Sequence, residues 1–206
     1  MSSFEREAGT LATRARGLIW IVIPVLLPLL GACASATSAR PREFLDESTG
    51  LTLIVVQRPI IFARSRTDVA ANARDYATLV AMQEDRSGKY STWLIVHRWS
   101  TVDPRFAGDA GVGSGQLRII ADDRELTLRP TLPEPAVLQR RAELFGPPKR
   151  TVSSAAYAVD GGTLRSIAAA QTLSLRYSDD ALPIAYGVWE DGRSALQAWL
   201  SDTRPP

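Results

Sequence analysis

The chain has 206 residues with 24 basic and 22 acidic side chains, a net charge of +2, and it contains one cysteine and one histidine. This near balance is unlike a nucleic-acid-binding domain, which carries a strong basic excess. One cysteine excludes an intrachain disulfide, and one histidine excludes a multi-histidine zinc site. We therefore expect no nucleic-acid partner and no cofactor, and a fold that is held by its apolar core.

The first 30 residues have the pattern of an export signal. Arg6, Arg14 and Arg16 precede an uncharged apolar segment at 18–30. This segment is shorter than the roughly 20 apolar residues that a helix needs to span a bilayer. A positive region followed by a short apolar region is typical of a signal peptide.

The only cysteine follows this segment in the sequence Leu30-Gly31-Ala32-Cys33. The motif resembles the lipobox of bacterial lipoproteins, in which small residues precede the lipidated cysteine. The resemblance implies cleavage between Ala32 and Cys33, a diacylglyceryl thioether on Cys33, and acylation of its new amine by a fatty acid such as palmitate. Two alternatives stay open: cleavage at the A-x-A site of residues 34–36, and an uncleaved signal anchor.

The same resemblance implies a domain organisation and a location. We expect a lipoprotein signal peptide at 1–32, a lipidated tether at 33–43 and a single β-rich periplasmic domain at 44–206. Aspartate after the cysteine retains Gram-negative lipoproteins in the inner membrane, and this chain has Ala34 there. That difference implies the periplasmic face of the outer membrane. An inner-membrane lipoprotein and a soluble periplasmic protein are the alternatives.

Apolar residues in the first half of the domain recur with a period of two, which indicates strands. Strands are predicted at 51–57 and 60–63, on either side of Pro59. Because proline cannot donate a ladder hydrogen bond, this junction is expected at an edge, bulge or corner. Residues 76–84 and 90–100 flank turn residues and predict a hairpin.

The second half continues this pattern and adds helical segments. Strands are predicted at 116–121, 125–129, 155–159, 171–177 and 184–190. Short helices are predicted at 68–75, 136–145 and 163–170, and after Asp191. The sequence thus predicts a mainly β fold, an antiparallel sandwich or open barrel with two or three short helices. An α+β arrangement is the alternative.

Five residues form the candidate partner or ligand surface. Trp93, His97 and Trp99 share one face of the 90–100 strand, and Arg140 and Arg141 lie in a Pro-rich basic loop that can contact anionic lipid headgroups. Tryptophans that follow a strand or helix period are expected in the core, so an exposed one would indicate a binding hot spot. His97 with a serine or an aspartate is the one candidate for hydrolysis, and a packed core histidine is the alternative.

Two further motifs are predicted to be structural. The glycine-rich segment 108–115 is followed by a strand pattern rather than a helix, so we interpret it as a surface loop and not a phosphate site. Asp122-Asp123 and Asp179-Asp180 lie at predicted turns, where aspartate bonds the local backbone.

Residues 70–76 and 99–103 resemble segments of uncharacterised proteobacterial lipoproteins, and this resemblance implies no activity. The sequence therefore favours a non-catalytic interaction or accessory module on a lipid anchor, with an envelope protein as a candidate partner. A small-molecule or lipid binder with an apolar cavity is the first alternative, and a hydrolase that uses His97 is the second.

Overall fold

A computed structural model describes residues 40–47, 49–102, 115–131, 151–178 and 185–203. All the described residues belong to one compact unit, 39–206. No helix among the described residues is long and apolar enough to span a bilayer.

The described part of the chain forms ten strands and two short helices. The strands are β1 (Arg42–Asp46), β2 (Leu51–Val55), β3 (Ile60–Ser65), β4 (Arg74–Arg86), β5 (Lys89–Ser100), β6 (Leu117–Ala121), β7 (Arg124–Leu128), β8 (Thr151–Ala158), β9 (Leu173–Tyr177) and β10 (Tyr186–Glu190). The helices are α1 (Gly161–Ala169) and α2 (Arg193–Asp202). This content confirms the predicted mainly β class with two short helices.

The strands form one antiparallel sheet in the order β1-β2-β4-β3-β10-β9-β6-β7, and β5 and β8 continue it from the other edge of β4. Thr131, just beyond β7, donates its backbone N–H to the carbonyl of Ala156 in β8 at 2.8 Å. This bond joins the segment after β7 to the strand at the opposite end of the sheet. The sheet therefore curls into an incompletely closed barrel.

The longest strand, β4, carries two shorter strands along one edge. β2 pairs with residues 82–86 and β3 pairs with residues 74–79, so the two lie end to end. The predicted break at Pro59 falls between them. Gly192 packs against this corner, where an added Cβ would lie 2.4 Å from the carbonyl oxygen of Pro59. Any side chain at position 192 would therefore displace the corner.

The β4–β5 hairpin is confirmed and has a two-residue turn. Ser87 and Gly88 have φ values of 52° and 85°, which is the backbone of a type I′ turn. Asp85 accepts a hydrogen bond from the backbone N–H of Gly88 at 2.7 Å. The turn thus sets the register of the whole hairpin.

The two helices pack on the sheet and on each other. α1 buries Leu164 and Ile167, and α2 buries Leu196 and Trp199. Trp199 is 1% exposed, and its indole N–H donates to the carbonyl of Ile54 at 3.0 Å. The cavity between these helices and the sheet has a volume of about 10 Å³, which is room for about one water molecule.

Two local predictions need correction, a helix and a helix N-cap. Residues 68–75 are not a helix: they form turns and the start of β4, because Arg66 bonds Ala73 through its backbone and Asp68 and Asp75 through its side chain. β1 was not predicted. Helix α2 has Gly192 as its N-cap, although Asp191 still accepts a hydrogen bond from the Arg193 backbone N–H at 3.0 Å. The predicted helix at 136–145 lies outside the described residues.

Candidate binding surface

A row of aromatic side chains lies on one face of the β4–β5 hairpin. The register places Tyr76 directly opposite Trp99. Their rings stack with centroids 3.9 Å apart and planes 6° apart. The Trp99 indole N–H donates to the hydroxyl of Thr78 at 3.0 Å, which fixes the orientation of the ring. Because both rings are held by their neighbours, they form a rigid base.

Trp189 of β10 continues this row and is exposed. Its ring meets that of Tyr76 edge to face, with centroids 6.1 Å apart. The guanidinium carbon of Arg74 lies 4.8 Å from the Trp189 ring centroid, within cation–π distance. Trp189 nevertheless remains 51% exposed. We call Arg74, Tyr76, Trp99 and Trp189 the Trp189 surface.

A β-bulge explains the position of Trp189. The register of β10 on β3 shifts between Val188, which pairs with Phe62, and Glu190, which pairs with Ile61. Trp189 is the extra residue between them. Bulges redirect a side chain from the ordinary alternation of a strand and are frequent next to functional sites. The bulge therefore accounts for a tryptophan that the strand period had placed in the core.

A buried ion network stands behind the Trp189 surface, on the opposite face of β4. Asp75 accepts hydrogen bonds from Arg64 Nε and Nη2 and from Arg66 Nη1, each at 3.1 Å, and from the hydroxyl of Ser100 at 2.6 Å. Arg66 also binds the carboxylate of Asp68 at 3.0 Å. These contacts fasten the ends of three neighbouring strands together.

The pKa values of this network agree with its geometry. The hydrogen bond to Asp68 raises the pKa of Arg66, and the same bond lowers the pKa of Asp68 below its ordinary value. Burial opposes both shifts and is outweighed. These groups therefore stay charged through the neutral range and act as structural ion pairs.

Arg64 of this network and a further arginine, Arg98, lie over tyrosine rings. The guanidinium of Arg64 lies 4.4 Å from the ring of Tyr186, and that of Arg98 lies 4.2 Å from the ring of Tyr177. Both arginines are buried. The planar guanidinium suits such stacking better than a lysine ammonium would.

His97 is buried on the same face as Trp99 and is 3% exposed. Its Nδ1 lies 2.8 Å from the hydroxyl of Ser154 on β8. Burial lowers the pKa of His97 to about 4, so the ring is neutral at neutral pH. Among the described residues no carboxylate hydrogen-bonds to His97, and Asp75 faces the other side of the sheet. A catalytic triad needs that acid to orient the imidazole.

The predicted surface residues are only partly brought together. Trp93, His97 and Trp99 share one face of β5, as expected from their spacing. Of these, His97 is buried and Trp93 and Trp99 are half-buried.

Arg140 and Arg141 lie outside the described residues, as do Ala32 and Cys33 with the signal segment. The glycine-rich segment also falls outside except for Gly115, and so does the pair Asp179-Asp180.

Three residues of the Trp189 surface were missed by sequence reasoning. Arg74 was assigned to a helix, Tyr76 was read only as a strand residue, and Trp189 was expected in the core. Trp199, in contrast, is a core residue as expected. The one sequence signal for Trp189 is its place directly before Glu190, Asp191 and Gly192, where a strand gives way to a turn.

Asp122 lies at the predicted turn, but its carboxylate bonds the backbone of a distant segment rather than the local backbone that was expected. Its φ is 54°, and its carboxylate accepts backbone hydrogen bonds from Gln171 at 2.9 Å and Thr172 at 2.8 Å. The bond from Thr172 is the main reason that the pKa of Asp122 is lowered. Across the described ranges, no group of three or more histidine, cysteine, aspartate or glutamate side chains is placed to hold a metal ion.

The chain matches no protein-family model, no curated protein and no solved structure.

Proposed function

We propose that this protein is a lipid-anchored lipoprotein of the bacterial envelope whose β-rich domain is a non-catalytic interaction or accessory module. The anchor is Cys33, acylated after cleavage behind Ala32, and the membrane is the outer membrane at its periplasmic face. The support for the anchor is the lone cysteine in Leu30-Gly31-Ala32-Cys33, which directly follows a charged and then apolar leader.

The observation that carries the interaction role is the exposure of Trp189. Tryptophan, tyrosine and arginine dominate binding hot spots, and the Trp189 surface contains all three types on a rigid base. Arg66 and Asp68, whose pKa values are shifted from their ordinary values, bind each other. They support the fold rather than offering a nucleophile or a free acid.

The alternatives receive less support. A small-molecule or lipid binder would hold its ligand in an apolar cavity, and the space between the sheet and the helices takes about one water. A hydrolase would orient His97 with a carboxylate and expose the ring to substrate. Among the described residues its one hydrogen-bond partner is the Ser154 hydroxyl, and the ring is 3% exposed.

Mass spectrometry of the purified full chain tests the anchor. An N-terminal peptide that begins at Cys33 and carries a diacylglyceryl thioether is expected, and Cys33→Ser should yield an unlipidated chain that leaves the membrane fraction. Ser35→Ala, a matched change beside the cleavage site, should leave lipidation unchanged. A wild-type chain that begins elsewhere, or a Cys33→Ser chain that stays processed and membrane-bound, would refute the anchor.

Cross-linking in living cells, followed by detergent extraction and mass spectrometry, tests the accessory role. One stoichiometric envelope protein would make this chain an accessory subunit of that protein. If the tagged chain is recovered without a protein partner above background, the subunit role is contradicted. That result would favour a non-protein ligand.

A further inference from the structure

The Trp189 surface contains a cation, Arg74, that has no carboxylate partner in the part of the chain that the structure describes. The guanidinium of Arg74 rests over the Trp189 ring. The backbone of Arg74 is held in place, because its N–H donates to the hydroxyl of Thr101 at 2.8 Å. A guanidinium that rests on an aromatic ring can still bind a carboxylate through two parallel hydrogen bonds.

Arg64 and Arg66, unlike Arg74, have a carboxylate partner within the described part of the chain. Those two arginines share the carboxylate of Asp75 on the inner face of the sheet. Arg74 lies next to Asp75 in the sequence, but alternation along β4 directs it to the other face. Asp75, the acidic neighbour of Arg74 in the sequence, therefore lies on the opposite face, where it binds two other arginines.

The exposed apolar area at this place is small. Within the described ranges, the large apolar side chains that are exposed number four. They are Leu45, Val69, Val188 and Trp189. A stable protein interface has a wide buried core of apolar side chains, often rich in aromatics. One exposed indole with an adjacent guanidinium can form one contact of a larger interface, and by itself it matches the size of a single ligand ring.

We propose that the Trp189 surface binds a carboxylated sugar within an acidic polysaccharide. The C–H face of the pyranose packs on the exposed part of the Trp189 indole, whose π face is electron-rich. The sugar carboxylate accepts hydrogen bonds from Arg74, and the sugar hydroxyls remain in water. The inference rests on the proposed binding role, since it names the ligand of that same surface.

Titration of the full-length protein in detergent with two oligosaccharides tests the inference. The probes are hexagalacturonate and its fully methyl-esterified form, which have the same length and differ in charge. We expect the acidic probe to bind and the ester to bind about tenfold or more weakly, because it cannot form charge-assisted hydrogen bonds with Arg74. A hyaluronan hexasaccharide provides a second acidic probe with a different backbone.

Two variants locate the binding. Trp189→Ala should reduce the affinity for both the acidic probe and the ester. Arg74→Gln should reduce only the affinity for the acidic probe, about tenfold or more. Arg86→Gln is the matched control, because it makes the same change at the other end of β4, where the side chain is 68% exposed. Leu45→Ala is the corresponding control for an exposed apolar side chain, and neither control should change binding.

Each result has a defined meaning. Failure of both acidic probes to bind, or binding that survives Trp189→Ala, overturns the inference. Equal binding of the acid and its ester overturns the carboxylate part. A protein that cross-links stoichiometrically to a photoreactive residue at position 189 also overturns it, in favour of a protein partner. The intact mass of the same preparation reports lipidation of Cys33, so a lipidated chain that binds no sugar refutes the ligand without refuting the anchor.

Discussion

Tyr76 and Trp99 occupy opposite positions on β4 and β5, and their rings stack with centroids 3.9 Å apart and planes only 6° apart. Aromatic pairs across antiparallel strands contribute roughly 0.2–1 kcal/mol to sheet stability. Stacking on Trp99 also holds the ring of Tyr76 in the position from which it contacts Trp189 edge to face. The arrangement couples the stability of the hairpin to the position of the exposed indole.

Replacement of the shared carboxylate should destabilise the fold strongly. Asp75→Asn leaves Arg64 and Arg66 buried without their common anion, and breaking a buried ion pair costs about 3–5 kcal/mol. Urea unfolding measures the loss. Asp68→Asn is the matched control: this carboxylate is 51% exposed, so its loss should be clearly smaller. Equal losses for the two variants would show that Asp75 does not organise the network.

The buried histidine should make stability depend on pH. Its folded pKa of about 4 lies below the ordinary value of 6.5, so between these values the unfolded chain binds a proton that the folded chain does not. The free energy of unfolding therefore falls as the pH drops through this window, and the contribution is constant above it. From pH 7.5 to pH 5 we expect a loss of about 2 kcal/mol from His97.

The variant His97→Gln isolates this effect from the carboxylates that also titrate. Chemical denaturation at both pH values should show a smaller loss for His97→Gln than for the wild type, by about 2 kcal/mol. Identical pH dependence in the two proteins would mean that the imidazole gains a proton in the folded state at its ordinary pKa.

Two tryptophans ten positions apart should lose very different amounts of stability on the same truncation. Trp199→Ala removes a fully buried ring and its hydrogen bond to Ile54, which should cost about 3–5 kcal/mol. Trp189→Ala removes a half-exposed ring and should cost less than about 1 kcal/mol. Thermal unfolding compares them. A large loss for Trp189→Ala would assign that residue to the core and remove it as a binding residue.

The start of α1 depends on one side chain. Asp160 accepts a hydrogen bond from the backbone N–H of Thr163 at 2.6 Å, which lowers the pKa of its carboxyl group. Asp160→Ala should reduce stability by about 1 kcal/mol, while Asp160→Ser should retain most of it, because serine is also a good N-cap. Denaturant midpoints measure both, and equal losses would argue against a capping role.

Much of the local structure follows from the sequence alone. Alternating apolar residues predict the β4–β5 hairpin, and the turn chemistry of Ser87 and Gly88 agrees with its type I′ geometry. The helical spacing of Leu164 and Ile167 predicts α1, and the spacing of Leu196 and Trp199 predicts α2. These signals are local, since each depends on the period of a single element.

Other features depended on contacts between distant parts of the chain. Residues 68–73 have helical composition, but the bonds from Arg66 to Asp68 and Asp75 hold them in turns. No local pattern marks β1, because its pairing with β2 alone makes it a strand. Tertiary contacts overrode local propensity at both places.

The sequence by itself determined the mainly β class, the helical stripes and the expectation of a lipid anchor, because each rests on a local period or motif. Only the tertiary structure decided that Asp75 binds two arginines, that no acidic side chain among the described residues pairs with Arg74, and that Trp189 is exposed. Strand register brings Arg64 opposite Asp75, and a one-residue bulge displaces Trp189 from the strand period. Strand register and β-bulges are properties of paired strands, so neither can be predicted from the sequence of one strand alone.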